Sequence, residues 1–166
     1  MRQEALPLAY RRTCFRLDNM DDLIKLLISV GQTGRDDIES LEVPWQSTAD
    51  SECKWDEFSD PEDHSLTLPK LHVTKCVQLL EQCRRLKLLR VLFESELMLK
   101  MPLSSFKTDP GIQGLCSIRG IERVEIWSLG NEPLEECCLA QWLKEKIQGS
   151  SKVGRDEKSL GVTISL

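Results

Sequence analysis

The hexapeptide IESLEV at residues 38–43 has two relatives in this chain, LKLLRV at residues 86–91 and IERVEI at residues 121–126. All three place an aliphatic residue at the first, fourth and sixth positions. Each copy follows a segment with the apolar spacing of an amphipathic helix. A repeated helix–strand unit is typical of leucine-rich-repeat-like solenoids, whose units stack because none buries its apolar face alone. The pattern predicts an α/β fold of short leucine-rich-repeat-like helix–strand units, with a small, mostly parallel sheet and helices packed on it.

The spacing of the copies supports a repeat. The first two copies start 48 residues apart and the last two 35 residues apart. Setting aside the 20 residues of segment 46–65 shortens the first interval to a length typical of leucine-rich repeats. A weak fourth copy aligns on Tyr10, Thr13 and Phe15. Because polar residues interrupt every copy, a one-sided curved sheet is favoured over a doubly wound sheet, whose buried strands are more continuously apolar.

Length and composition indicate one ordinary globular domain. The chain has 166 residues, a net charge of −5 and 40 % hydrophobic residues. We expect a single domain over residues 1–148, followed by a flexible tail at residues 149–166. The acidic balance argues against nucleic-acid and anionic-membrane partners, which require a basic surface. No apolar run approaches the roughly 18 residues of a membrane span. We expect a monomer.

Cysteine usage indicates a reducing compartment. The chain has seven cysteines, and the N-terminal stretch MRQEALPLAYRRT lacks the apolar core of a secretory signal. An odd number of cysteines without such a signal predicts free thiols. We therefore expect an intracellular protein, cytoplasmic or nuclear.

The acidity is concentrated in residues 46–65, which hold seven carboxylates against one lysine. Many charges and few aliphatic residues predict a mobile insertion. Trp55 and Phe58 within it could form a short linear motif that folds on a partner, or could belong to an inert loop. Ser47 and Ser59 are followed by acidic residues at the spacing that acidophilic kinases use, so both are candidate phosphorylation sites.

Four glutamates of the strand segments form a second candidate interaction site. Glu39 and Glu42 lie in the first copy, and Glu122 and Glu125 lie at the same offsets in the third. On alternate positions of a sheet they would form an acidic stripe suited to a basic partner. The alternative is that they serve only solubility and edge protection.

No catalytic, cofactor or metal site is predicted. His72, Cys76 and Cys83 share one face of a predicted helix, as a partial zinc site would require. No C-x-x-C pair completes such a site, so buried core thiols are favoured. Gly31 and Gly34 precede a strand, whereas a phosphate-binding loop precedes a helix, so this segment is interpreted as a helix end and turn.

An ordered set of motifs resembles a known class of proteins. RQEALPLAY at residues 2–10 leads into the T-x-F-x-L segment at residues 13–17. The amphipathic helix ending at Gly31, the strand at residues 38–43 and the C-x-x-L-x-x-L-x-V pattern from Cys83 follow in order. Together they cover about residues 2–148 and resemble uncharacterised fungal F-box-like, leucine-rich-repeat-like proteins.

The resemblance implies a function as well as a fold. It implies a non-enzymatic protein-interaction domain with an unidentified protein as partner. The recognition part of an F-box-like adaptor that lacks a recognisable F-box is one form of that role. The alternatives are a small α/β enzyme with degenerate motifs and a truncated paralogue without independent activity.

Overall fold

The computed structural model describes residues 2–48, 50 and 67–156, and within them the side chains from residue 7 to residue 149. In this part of the chain, eight helices are interspersed with four strands. The helices are α1 (Arg2–Arg12), α2 (Met20–Ser29), α3 (Gly31–Asp37), α4 (Val73–Glu81), α5 (Ser95–Lys100), α6 (Leu103–Thr108), α7 (Pro110–Ser117) and α8 (Cys138–Asp156). The strands are β1 (Cys14–Arg16), β2 (Ser40–Pro44), β3 (Leu88–Phe93) and β4 (Arg123–Ser128).

The four strands form one parallel sheet in the order β1-β2-β3-β4. Each new strand is added beside the previous one, as in stacked helix–strand units, whereas the strand order of a doubly wound sheet reverses direction. Helices cross from each strand to the next. The predicted class, an α/β fold with a small parallel sheet and helices packed on it, is confirmed.

The strand register follows the sequence repeat. Leu41 pairs with Leu89 and Leu89 pairs with Val124, so the fourth positions of the three hexapeptides are aligned. In β1, however, Phe15 is the partner of Leu41. The alignment of the fourth copy on Tyr10 is therefore wrong by two residues, because Tyr10 lies within α1.

The core is built from the repeated aliphatic positions. All nine are no more than 6 % exposed: Ile38, Leu41, Val43, Leu86, Leu89, Val91, Ile121, Val124 and Ile126. Apolar residues of α2, α4, α7 and α8 complete the same cluster. These helices pack on one face of the sheet, and within the described residues the alternate positions of each strand lie outside this core cluster.

Helix α2 begins one residue later than Asp18 predicts. Asn19 is its N-cap and accepts a hydrogen bond from the Asp22 backbone N–H at 2.9 Å. Gly31 follows the end of α2 with a φ of 65°, a left-handed conformation that glycine adopts without strain. The chain then forms α3 instead of the predicted turn, so this part of the prediction is wrong.

The pair Asp109-Pro110 predicts a helix start, with Asp109 as the N-cap and proline at the first helical position. Helix α7 begins there, and the Asp109 carboxylate accepts hydrogen bonds from the backbone N–H groups of Gly111 and Ile112. Its glycines allow close packing on α4. A Cβ atom at Gly114 would lie 2.9 Å from the Cγ2 atom of Val77. Glycine lowers the intrinsic stability of a helix, but here it lets the two helix backbones approach.

Other boundaries differ from expectation. Residues 94–108 are predicted to form a loop with a helical start. The helical start is α5, and the rest of the predicted loop contains a second short helix, α6. Helix α8 ends at Asp156, beyond the predicted end of the domain at residue 148. The possible edge strand at residues 162–166 lies outside the described residues.

Candidate interaction surface

Five charged residues lie on the strand positions that alternate with the core. Arg16, Glu42, Arg90 and Glu125 are successive register partners across all four strands. Arg123 lies two residues before Glu125 on β4 and pairs with it at 2.5 Å. We call these five residues the charged row. It crosses the sheet perpendicular to the strands, so each strand contributes at least one member.

Arg90 holds the charged row together. Its Nη1 atom donates to Glu42 Oε2 at 2.7 Å and its Nε atom donates to Glu125 Oε2 at 2.7 Å, while its Nη2 atom lies 2.7 Å from the same oxygen in an ion pair. Arg16 Nε lies 3.6 Å from Glu42 Oε2. The guanidinium carbon of Arg90 lies 4.3 Å from the ring centre of Trp127, a cation–π contact. Each carboxylate therefore contacts two arginines.

Solvent exposure divides the charged row into two classes. The side chains of Glu42 and Glu125 are each 11 % exposed and that of Arg90 is 23 % exposed, whereas Arg16 and Arg123 are 74 % and 73 % exposed. Burial of Arg90 disfavours its charged form, but hydrogen bonds and charge attraction from Glu125 and Glu42 outweigh this and raise its pKa. The carboxylates are thus enclosed, and the accessible charge is cationic.

The predicted acidic stripe takes a different form. Glu42 and Glu125 do lie in one row, but Arg90 lies between them. Glu39 instead pairs with Lys87 at 2.7 Å. Glu122 is exposed in the segment before β4. The four glutamates therefore do not form one continuous acidic surface.

The prediction missed the arginines of the charged row, although the sequence carries a signal for them. The fifth position of the three hexapeptides is glutamate, arginine and glutamate. With β1 in its observed register, Arg16 occupies the same position in the fourth copy. The charge at this position therefore alternates from copy to copy, and the sheet aligns these four residues in one row.

A cleft of about 430 Å³ lies beside β4 at one end of the charged row. Here the chain turns back after β4, and the backbone N–H of Leu134 donates to the carbonyl of Ile126 at 3.0 Å. The lining combines apolar surface with charged groups at the rim: Arg123, Glu125, Ile126, Trp127, Pro133, Leu134, Glu135, Ala140, Gln141 and Lys144. We call this space the β4 cleft.

The candidate phosphorylation site Ser47 lies inside the fold. Ser47 is 4 % exposed, and its hydroxyl donates a hydrogen bond to the Asp21 carboxylate at 2.9 Å. A kinase needs an accessible hydroxyl, so this placement argues against modification of Ser47 in the folded chain. Trp55, Phe58 and Ser59 lie outside the described residues and stay predictions.

The start of the acidic segment belongs to the folded body. Besides Ser47, the backbone N–H of Thr48 donates to Asp21 at 2.8 Å. The Asp50 carboxylate accepts from the backbone N–H groups of Lys70 and Leu71 at 3.0 and 3.1 Å. Ser47, Thr48 and Asp50 all lie within the segment predicted to be a mobile insertion, residues 46–65. Each of them hydrogen-bonds to a residue outside that segment.

The histidine and cysteines of the partial zinc pattern lie in different surroundings. His72 is exposed at the start of α4, while Cys76 and Cys83 are buried. Burial raises the pKa of both thiols to about 12, so they are protonated at neutral pH. Within the described ranges, no three His, Cys, Asp or Glu side chains are grouped so that they could hold a metal ion. The six cysteines in these ranges are free thiols.

Among the helices of residues 2–48 and 67–156, none combines the length and apolar character needed to cross a membrane. The chain matches no family model, no curated protein and no solved structure. Because no comparison identifies a relative, the geometry of the charged row and the β4 cleft is the basis for the function proposed for this chain.

Proposed function

We propose that this chain is a non-enzymatic protein-interaction domain and that the charged row is its recognition surface. The observation that carries the proposal is the arrangement of Arg16, Glu42, Arg90, Glu125 and Arg123 across the sheet. Ion pairs hold the inner three side chains in defined positions before any partner binds. A preorganised charged surface loses little conformational entropy on association and discriminates between partners by charge.

The state of the glutamates favours binding over catalysis. A general acid or base must exchange a proton with its substrate. Glu42 and Glu125 instead have arginine partners on both sides, at 3.6 and 2.7 Å for Glu42 and at 2.7 and 2.5 Å for Glu125. The resemblance to F-box-like proteins suggests the recognition part of an adaptor as one setting for such a surface.

Site-specific photo-crosslinking tests the proposal. A photoreactive phenylalanine analogue replaces Arg16 or Arg123 in the full-length protein expressed in cells, and the crosslinked proteins are identified by mass spectrometry. The matched control carries the same analogue at Lys75, an exposed residue of α4. We expect crosslinks to a common set of proteins from both row positions and not from the control.

Thermal unfolding measurements accompany the crosslinking, so that only folded variants are compared. Equal crosslinking from Lys75 and from the two row positions would contradict the proposal. So would the absence of any crosslinked protein at Arg16 and Arg123.

A further inference from the structure

Resting on the interaction function proposed above, we propose the chemistry of the partner: an extended acidic peptide segment. Two of its carboxylates pair with Arg16 and Arg123, and an apolar side chain beside the second carboxylate enters the β4 cleft. This reverses the charge of the partner that the predicted acidic stripe would select. The reversal follows from which members of the charged row are accessible.

The exposed side chains of the charged row determine which charge the partner must carry. Glu42 and Glu125 are 11 % exposed and already contact two arginines each, so a basic partner would have to displace an arginine to reach them. Arg16 and Arg123 are about three-quarters exposed and make one ion pair each. A guanidinium has five N–H donors and can bind a second carboxylate through two of them. Complementarity therefore favours an anionic partner.

The strand positions set the spacing of the partner's carboxylates. Arg16 on β1 and Arg123 on β4 are separated by three strand steps, about 14 Å at ~4.8 Å per step. Arg123 is displaced by two residues along its strand relative to the row, about 7 Å. The two Cα positions are therefore about 16 Å apart. Side chains of an extended peptide point to the same side only at even separations, and four positions cover about 13 Å at ~3.3 Å per residue. The glutamate and arginine side chains bridge the remaining distance, so the matching motif has acidic residues at positions i and i+4.

The β4 cleft supplies an apolar contact next to Arg123. Its volume of about 430 Å³ accommodates a leucine or phenylalanine side chain, and Trp127, Pro133 and Leu134 contribute to its lining. Two cations, Arg123 and Lys144, and two carboxylates, the enclosed Glu125 and the exposed Glu135, also line the cleft. A large apolar residue two positions after the second acidic residue points to the same side of an extended peptide. It would bury its side chain in the cleft while the carboxylate pairs with Arg123.

Peptide binding to the full-length protein tests the proposal by fluorescence anisotropy. The probe is a labelled 14-residue peptide with glutamates at i and i+4 and leucine at i+6 in a Gly/Ser background. Comparison peptides carry glutamine for both glutamates, glutamates at i and i+2, or alanine for the leucine. We expect binding at least tenfold tighter for the probe than for the glutamine peptide, weaker binding for the other two, and loss of affinity as salt is raised.

Protein variants locate the binding site. Arg16→Glu and Arg123→Glu should each weaken probe binding at least tenfold, and Arg123→Gln should weaken it without placing a carboxylate beside Glu125. Lys75→Glu, the matched charge reversal on α4, should leave the affinity unchanged. Equal affinity for the probe and the glutamine peptide would overturn the acidic-partner proposal, as would an equal loss in the Lys75 variant. Binding of single-stranded RNA or phosphatidylserine vesicles that depends on Arg123, without binding of the probe, would also overturn it.

An unbiased peptide-display selection separates this proposal from the proposed function. Selected peptides that need Arg123 and are enriched in spaced acidic residues support both. Peptides that need Arg123 but are neutral or basic overturn the partner chemistry and leave the interaction function standing. A selection that returns no peptide dependent on Arg16 or Arg123 counts against both.

Discussion

Replacing Arg90 with methionine should destabilise the fold mainly by leaving two enclosed carboxylates without their shared partner. Methionine keeps most of the aliphatic stem and its packing but removes the guanidinium. Two hydrogen bonds of 2.7 Å are lost, one to Glu42 and one to Glu125, together with the ion-pair contact between Nη2 and Glu125 and the contact to Trp127. Among the side chains that the structure describes, the two glutamates retain Arg16 at 3.6 Å and Arg123 at 2.5 Å.

The exposed fractions set the expected size of the effect. Breaking a fully buried ion pair costs about 3–5 kcal/mol, whereas an exposed pair contributes about 0–1 kcal/mol. Arg90 is 23 % exposed and both carboxylates are 11 % exposed, so the case lies nearer the buried limit. We expect a loss of about 3 kcal/mol. For a chain of this size that corresponds to a fall in Tm of roughly 6–12 °C.

Urea unfolding followed by circular dichroism measures this change. The triple variant Arg90→Met, Glu42→Gln and Glu125→Gln provides the control, because neutral partners remove the cost of unpaired enclosed charge. We expect it to recover at least half of the loss. A single variant within about 0.5 kcal/mol of the original protein would refute the reasoning, since that is the size of an ordinary surface substitution. A triple variant with no recovery would assign the loss to packing.

Other parts of the fold give three further predictions. Leu41→Asp should abolish the cooperative thermal transition, because it places a carboxylate at a fully buried position; a folded variant would show that this core position tolerates charge. Gly114→Ala should lower the free energy of unfolding by about 1–3 kcal/mol through overpacking. Gly149→Ala, with no atom within 4 Å of its added Cβ, should raise it by about 0.5–1 kcal/mol. Equal urea midpoints for the two variants would contradict the packing argument. Native alkylation by iodoacetamide at pH 8 should modify exposed Cys14 and spare Cys76, whose pKa burial raises to about 12; equal modification by mass spectrometry would show that Cys76 is accessible.

Apolar spacing and capping residues were sufficient to predict helices α2 and α7. The aliphatic spacing of α2 and the Asp109-Pro110 start of α7 both produce the helices they predict. Helix α3 could not be found in the same way, because its sequence GQTGRDD has no apolar stripe and two glycines. Its placement depends on tertiary contacts, including an ion pair of 2.7 Å between Asp37 and Arg11 of α1.

The candidate site was also predicted only in part from the sequence. The sequence placed Glu42 and Glu125 at equivalent positions of the repeat, and the sheet places them in the same row. Their surroundings could not be inferred from either hexapeptide alone. Ser47 shows the same limit: its acidic neighbours suggested a kinase site, while its hydroxyl is enclosed by a contact with Asp21, 26 residues earlier in the chain.

By itself, the sequence determined which strand residues enter the core and the order of the helix–strand units. These follow from hydrophobic periodicity, a local property that every copy of the repeat displays. Only the tertiary structure decided the charge of the surface opposite that core. Arg90 meets Glu42 and Glu125 across 48 and 35 residues of chain, and the pairing exists because the parallel register aligns β2, β3 and β4. Burial of the carboxylates and exposure of the outer arginines are consequences of that register.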